Sequence, residues 1–357
     1  MEGLTFTGFS VGANAYRDVG KICSTAGINA VIIGSSSSLE AAADKLAAQC
    51  EPIVISGKIN FSGAVTEKNA EELSQLEPVK FADMIFALGG GKIIDICKIV
   101  SSITEKPLYS FPTVASCCAC STGLAVSLVA DGEVKYLALS SPIHAFIDTS
   151  VLAQTPVEYL RTGIARALAL DIEAQIRSRL QKNMSSDYMT GLAAAQNCVG
   201  PLLRTGADAC YDNSHKRDSE VFGECVKTVT ASAGNVQTLL LEHSDNASLV
   251  LGMSNAVADV LEANIDGYCR GDFLAIGILI TLYYDGQARE AETLKKFFNT
   301  VGLPSAIQDL GLVLSDMDIY CQMISQDPCL ENYYYKKIPP EYLLNTLRYI
   351  DRDLYRW

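Results

Sequence analysis

An α/β amino-terminal half with a mostly parallel sheet, followed by an all-helical carboxyl-terminal half, is the fold class this sequence predicts. Three observations carry the prediction. Short β-branched runs alternate with amphipathic helical stretches over residues 1–155, the pattern of a parallel sheet covered on both faces. Strand-like alternation is absent from residues 156–357. The chain of 357 residues is 49% apolar and 19% charged, enough for a large core and about two domains, 1–155 and 156–357.

The elements follow in order. Asn29-Ala30-Val31-Ile32-Ile33 is a β-branched strand ending at Gly34, and Ser37 with Glu40 forms a capping-box pattern ahead of the alanine-rich stretch Leu39 to Gln49. Pro52 to Ile55 is the next strand, followed by a helix from Thr66 to Gln75. Asp83 to Leu88 is a strand that runs through Gly89-Gly90-Gly91 into a helix from Lys92 to Ile103. Leu108 to Phe111 and Ala145 to Ile147 complete the sheet. Thr155 as N-cap, Pro156 at the first helical position and Glu158 at the third then start a long helix. Val157 to Leu180, Val221 to Glu242 and Gly271 to Tyr284 read as helices with broad apolar faces, and Gly302-Leu303-Pro304 marks a break. In such a chain a ligand is expected in the cleft between the halves, at the carboxyl ends of the parallel strands.

Charge and composition narrow the function. A formal net charge of −13 argues against a nucleic-acid-binding protein, because phosphate contacts need clustered Lys and Arg. The longest apolar run, Phe273 to Tyr284, has 12 residues, where a membrane span needs about 20. The opening Met1-Glu2-Gly3-Leu4-Thr5 lacks the basic and apolar regions of an export signal. The expectation is a cytoplasmic protein whose twelve cysteines are reduced thiols.

The segment from Met84 to Lys98 is the most informative. A strand feeds three consecutive glycines that open directly into a helix. Without Cβ atoms this turn can take positive φ and let a phosphate approach the backbone, and the helix start offers free N–H groups to an anion. It is neither G-x-G-x-x-G nor G-x-x-x-x-G-K-[ST].

Gly89-Gly90-Gly91-Lys92-x-x-Asp95-x-x-Lys98 resembles the G-G-G-[KS]-x-x-D-x-x-K pattern of the iron-containing alcohol dehydrogenase superfamily, most closely its glycerol dehydrogenase-like branch. Further segments agree in order. Phe6 to Asn14 resembles the family's opening strand, ending in the turn Val11-Gly12-Ala13. Phe111 to Ser116 is similar to its P-T-x-A-S segment, and Ile147-Asp148-Thr149 with Thr155-Pro156 to its hinge. Gly163-Ile164-x-x-Ala167-Leu168 is similar to G-I-G-D-A-L, and Val301 to Pro304 matches near the end. The resemblance implies a dehydroquinate synthase-like fold with a Rossmann-like amino-terminal domain that binds NAD or NADP, an all-helical second domain, a small-molecule substrate and self-association into a homo-oligomer. Gly89, Gly90, Gly91 and Lys92 would hold the pyrophosphate. Thr113 and Ser116 would line the nicotinamide, with Thr122 and Leu124 nearby. The family's acidic residue for the adenosine ribose, placed after its first strand, falls at Ser35, which weakens a preference for NAD over NADP; Ser35 to Ser38 also suit a helix cap.

The family's chemistry uses a divalent metal as Lewis acid, and this chain departs at each ligand position. The Asp of G-I-G-D-A-L is Arg166, the His of H-G-E is Arg270, and the remaining His falls, by ungapped counting, at Met253. The family's substrate-side Asp is Cys118. A guanidinium has no lone pair to give, so the family's metal site is expected to be absent. The three histidines, His144, His215 and His243, have no ligand spacing. Cys117, Cys118 and Cys120, with Cys269, are either small residues beside the cofactor or, less in keeping with the usual paired C-x₂-C spacing, zinc ligands. Arg166 and Arg270 could bind an anionic carbonyl compound and stabilise a developing alkoxide, with Tyr268 or Lys92 as proton donor; or they pair with carboxylates such as Asp171 or Asp272. The alternatives are a metal-independent NAD(P) oxidoreductase, a catalytically silent relative that binds nucleotide or ligand, and a lyase of the same fold.

Overall fold

The computed structural model describes residues 6–129, 134–180, 184–241, 252–327, 330, 331, 334 and 336–352. Eight strands are described, all between residues 8 and 147: β1 (Gly8–Val11), β2 (Asn29–Gly34), β3 (Val54–Asn60), β4 (Met84–Gly89), β5 (Leu108–Pro112), β6 (Leu124–Leu128), β7 (Val134–Ala138) and β8 (His144–Ile147). Six of them form a sheet in the order β1-β8-β5-β4-β2-β3, and every pairing in it is parallel.

Burial explains which strands the sequence announces most clearly. Every residue of β4 and β5 is buried, so these central strands are near-continuous apolar runs. The edge strand β3 alternates half-buried and exposed residues. It runs from Val54 to Asn60 instead of Pro52 to Ile55, because its solvent-facing Ser, Lys and Asn residues break the apolar run that marks a central strand. Phe86, Phe111 and Phe146 stack across β4, β5 and β8, with ring centroids 4.8 and 5.1 Å apart. Between β2 and β4 the strand order reverses direction, which makes the carboxyl ends of these two strands the place where an open α/β sheet receives a ligand.

Helices α1 (Ser36–Ala47), α2 (Glu67–Ser74) and α3 (Gly91–Thr104) cover the sheet. The first is capped otherwise than expected. Ser35, not Ser37, accepts the Ser38 N–H, and the Ser38 hydroxyl accepts from the Ser35 N–H, so the box is Ser35–Ser38. Thr66 caps α2 through the Asn69 N–H. The β6–β7 hairpin, which the sequence reading passed over, is a separate antiparallel pair packed beside α3.

Beyond the sheet the described chain is helical: α4 (Val157–Leu180), α5 (Ser186–Ser214), α6 (Glu220–Lys227), α7 (Ala233–Leu241), α8 (Met253–Asn264), α9 (Arg270–Tyr284) and α10 (Ala288–Val301). Thr155 does not cap α4; its hydroxyl donates backward to the Leu152 carbonyl at 2.7 Å. The stretch read as one helix from Val221 is divided by a π turn, Thr228–Ser232, and Glu242 lies outside the described residues, as does His243. At this turn the Ser121 hydroxyl donates to the Thr230 carbonyl, and π turns of this kind interrupt otherwise continuous helices. The apolar run from Phe273 is α9, buried along most of its length between α4 and α8. Among the described residues no helix is long and apolar enough to cross a membrane.

Candidate functional site

The glycine turn lies at the carboxyl end of β4, and Gly90 is the N-cap of α3 without any side-chain cap, so the first N–H groups of this helix are left to a ligand or to solvent. None of the three glycines uses the positive φ that a missing Cβ permits. They are required by close approach instead. A Cβ on Gly89 would stand 2.8 Å from Ile93 Cβ, one on Gly90 3.0 Å from Val114 Cγ2, and one on Gly91 2.9 Å from Cys117 Sγ. The rest of the motif is internal bracing. Asp95 and Lys98 pair with each other, and Asp95 accepts the Val126 N–H at 3.2 Å.

A cavity of about 360 Å³ opens beside this turn and reaches into the helical half. Gly91, Lys92, Thr122, Leu124, Arg166 and Arg270, all singled out in the sequence, line it together. Gly89, Gly90, Thr113, Ser116 and Ser35 are not among its lining residues. Gly89, Thr113 and Ser35 instead occupy the carboxyl ends of β4, β5 and β2, along the line of the strand ends. Ser35 follows the second strand, since β1 precedes it, and its hydroxyl is engaged in the α1 cap; the Ser38 hydroxyl also donates to the Leu88 carbonyl at 2.7 Å, tying α1 to β4.

The far wall comes from α4 and α8. Arg166, Ala169, Leu170 and Glu173 lie three, four and seven residues apart on one face of α4. Among the described residues Arg166 makes no hydrogen bond or ion pair, and its Nε is buried without a partner. Burial pushes its guanidinium below the usual range, and the charge of Arg270 adds to that. Arg270 is placed differently. Its Nη1 lies 2.6 Å from both Asp259 and Glu262, and its Nη2 faces Asn255 Oδ1 at 3.4 Å. Burial works against its charge, but the attraction of Asp259 and Glu262 prevails and carries the group above its usual value. The two arginines therefore do not form one clamp, and neither Asp171 nor Asp272 is a partner: Asp171 takes the Gln175 amide at 2.7 Å, and Asp272 the Cys269 N–H at 2.8 Å.

Glu173, Asn255 and Asp259 are wall residues that the sequence reading missed. Helical spacing from Arg166 could have found Glu173, but which face of α8 points inward depends on tertiary packing. The Glu173 carboxylate is seated on the start of α8, accepting from the Ser254 N–H, the Ser254 hydroxyl and the Asn255 amide. Burial raises its pKa and these bonds oppose the rise. Met253, where counting put a metal ligand, is fully buried and outside the cavity lining; Asn255 occupies the wall instead. Tyr268 packs edge-on against Phe273 and is not among the lining residues.

The residues around the cavity do not fit a divalent metal. Two guanidinium groups and a buried thioether stand at the three ligand positions, and among the described residues no group of three or more His, Cys, Asp or Glu could hold an ion. Of the carboxylates that line the cavity, Asp259 already holds Arg270 together with Glu262, Asp95 pairs with Lys98, and Glu173 accepts from the start of α8. Cys117 and Cys118 line the cavity and Cys120 is buried behind them. Cys118 donates to Gln237 Oε1 at 3.3 Å, and burial pushes the Cys118 and Cys120 thiols up to about 12, so both are protonated side chains. His144 sits on β8, 3.0 Å from the Ser10 hydroxyl, and His215 stacks on Tyr211; both are remote from the cavity lining.

Comparison with known proteins agrees with this architecture. Residues 10–156 match the sequence pattern of the iron-containing alcohol dehydrogenases. The chain is 30% identical to a glycerol dehydrogenase of Thermotoga maritima over 279 residues, 76% of this chain and 74% of that one. The glycerol dehydrogenase of Schizosaccharomyces pombe superposes with a TM-score of 0.83 at 22% identity, covering 99% of this chain and 91% of that one. A probable glycerol dehydrogenase of Sinorhizobium meliloti gives 0.80 at 20% identity, covering 99% of both. These two likenesses bear on the fold alone, whereas the Thermotoga maritima match extends to sequence over most of both chains. The chain belongs to the iron-containing alcohol dehydrogenase superfamily, in its glycerol dehydrogenase-like branch.

Proposed function

We propose that this chain is an NAD(P)-dependent oxidoreductase that interconverts a small alcohol and its carbonyl compound without the divalent metal its relatives use. One observation carries the reading: a single cavity joins an uncapped glycine–helix turn to a wall where Arg166 stands at the position of a metal ligand. The residues 1–155 would form the nucleotide lobe and 156–357 the substrate lobe, in a cytoplasmic protein that self-associates.

The turn fits a dinucleotide, because the α3 start lacks a side-chain cap and Gly89 to Lys92 leave its amides open to a pyrophosphate. When bound, the nucleotide supplies or accepts the hydride. The chain itself does the rest. Leu124, Val126 and Leu128 from the hairpin and Val229 from the π turn give the cavity an apolar lining. Arg166 presents N–H donors to a negative oxygen, the task a Lewis acid performs elsewhere. Lys92, exposed on the first turn of α3, lines the same cavity and is the candidate to bring a proton from solvent. Ser35 offers no carboxylate against a 2′-phosphate, so NAD and NADP both stay in the reading.

The test is a titration of NADH and NADPH followed by a panel of small aldehydes and ketones, using protein purified without added metal and assayed with chelator. Cofactor-dependent turnover that survives the chelator, with no stoichiometric zinc or iron in the protein, is the expected result. Stoichiometric metal, or turnover that chelation abolishes, would overturn it. Replacement of all three ligand positions also favours a second reading, a nucleotide-binding protein without turnover; tight nucleotide binding with no activity across the panel would decide for it.

A further inference from the structure

We infer that the substrate of this cavity is a small carboxylate-bearing monoanion, recognised by Arg166 alone. This rests on the reading of the cavity as a substrate site and adds which molecules enter it.

The inference follows from an accounting of charge on the cavity wall. Arg270 is balanced within the protein by Asp259 and Glu262, both 2.6 Å away. The Glu173 charge is met by the start of α8 through Ser254 and Asn255. Asp95 is met by Lys98 at 3.0 Å. Arg166 is left, with no hydrogen bond or ion pair among the described residues and a buried, unpartnered Nε. A guanidinium stays charged at any physiological pH, and a buried donor without a partner is costly, so the site is incomplete until an acceptor arrives. The planar fork of donors matches a carboxylate, which can take two parallel bonds from it. A neutral polyol would leave the charge unmet. A phosphate dianion would bring a second negative charge, and the other cavity cation unpaired among the described residues, Lys92, is exposed at the glycine turn, where it would face the nucleotide rather than the substrate. Leu124, Val126, Leu128 and Val229 leave room for a short carbon skeleton, and where the carboxylate adjoins the reacting carbon the Arg166 fork reaches both oxygens.

The experiment compares butyrate with its neutral isostere butyramide, using the full chain with and without saturating NADH or NADPH and reading binding by calorimetry. Turnover is compared between glyoxylate, an anionic aldehyde, and neutral glycolaldehyde. Butyrate should bind and butyramide should not, and glyoxylate should be preferred. Arg166→Gln should weaken butyrate by about 100-fold, the scale of a lost charge-assisted pair, and erase the preference, while Arg166→Lys keeps part of it. Circular dichroism establishes that each variant is folded; should Arg166→Gln fail to fold, Arg166→Lys and the paired ligands still decide. Equal binding of the two isosteres, or butyrate binding unchanged in the variants, overturns the inference. Failure of either nucleotide to bind would instead count against the oxidoreductase reading, and the butyrate comparison on the nucleotide-free protein would still judge Arg166.

Discussion

Lys98, whose side chain is wholly buried, pairs with Asp95 one helical turn earlier at 3.0 Å and donates to the Leu124 carbonyl at 2.6 Å. Asp95 in turn accepts the Val126 N–H. Two residues of the glycine-turn motif thus lock α3 to the β6–β7 hairpin, whose other residues wall the cavity. Removing one member should be worse than removing both. Asp95→Ala leaves an ammonium buried without a counter-charge and should cost about 3–5 kcal/mol. Asp95→Asn with Lys98→Met, which keeps an acceptor for Val126, should recover most of it. Urea unfolding of the two single variants and the double variant measures this; strictly additive losses would refute the coupling.

The glycine turn separates packing from binding. Gly89→Ala puts a methyl 2.8 Å from Ile93 Cβ and Cγ1, atoms fixed in the first turn of α3, and should cost about 1–3 kcal/mol by overpacking. At Gly91 the nearest atom is the Cys117 thiol at 2.9 Å, one side chain that can rotate away. Gly91→Ala should therefore melt close to the parent yet bind nucleotide about 10-fold more weakly, since Gly91 and Cys117 both line the cavity. Thermal unfolding and a nucleotide titration on both variants tell these effects apart.

The same contrast explains what the sequence could reveal. Strands β2, β4 and β5 and the turn after β4 were legible because burial on both faces forces unbroken apolar runs. The hairpin was not: β6 mixes buried and exposed residues over its five positions, and β7 has only half-buried and exposed ones. Site residues were legible where a motif fixed their register, as at Gly91, Lys92 and Arg166. Asn255 and Asp259 were not legible, because the inward face of α8 is set by packing against α4 and α9 rather than by local sequence. The partners of Arg270 were misread for a related reason. Asp259 and Glu262 lie on α8, and Asp272, though closer in sequence, is used up at the start of its own helix.

Arg270 holds two carboxylates that sit one turn apart on α8. Arg270→Gln would leave Asp259 and Glu262 facing each other with no cation between them. Both are partly exposed, so solvent screens the repulsion, and a loss of about 1–2 kcal/mol near pH 7 is expected. The deficit should shrink as salt is added, because the repulsion of two partly exposed carboxylates is screened. Chemical unfolding of parent and variant at low and at high ionic strength gives the answer, and a deficit that stays constant between them would exclude this electrostatic origin.

Asp171 predicts a pH dependence of stability. It is buried on α4, its Oδ1 has no partner among the described residues, and burial raises its carboxyl to about 6, with Gln175 opposing and Glu290 adding to the rise. The folded chain therefore holds this proton more tightly than the unfolded chain, whose value lies near 4. Its contribution is fully present below pH 4, declines between pH 4 and pH 6, and becomes a constant penalty above that range. At 1.36 kcal/mol per unit of pKa the penalty amounts to about 1–3 kcal/mol at neutral pH. Asp171→Asn keeps an acceptor for the Gln175 amide and carries no charge. The variant should match the parent near pH 4 and become more stable than it by that amount at pH 7. Unfolding free energies of both proteins across this interval measure the difference; parallel curves, or a variant less stable at pH 7, would show that the Asp171 charge is compensated by another group.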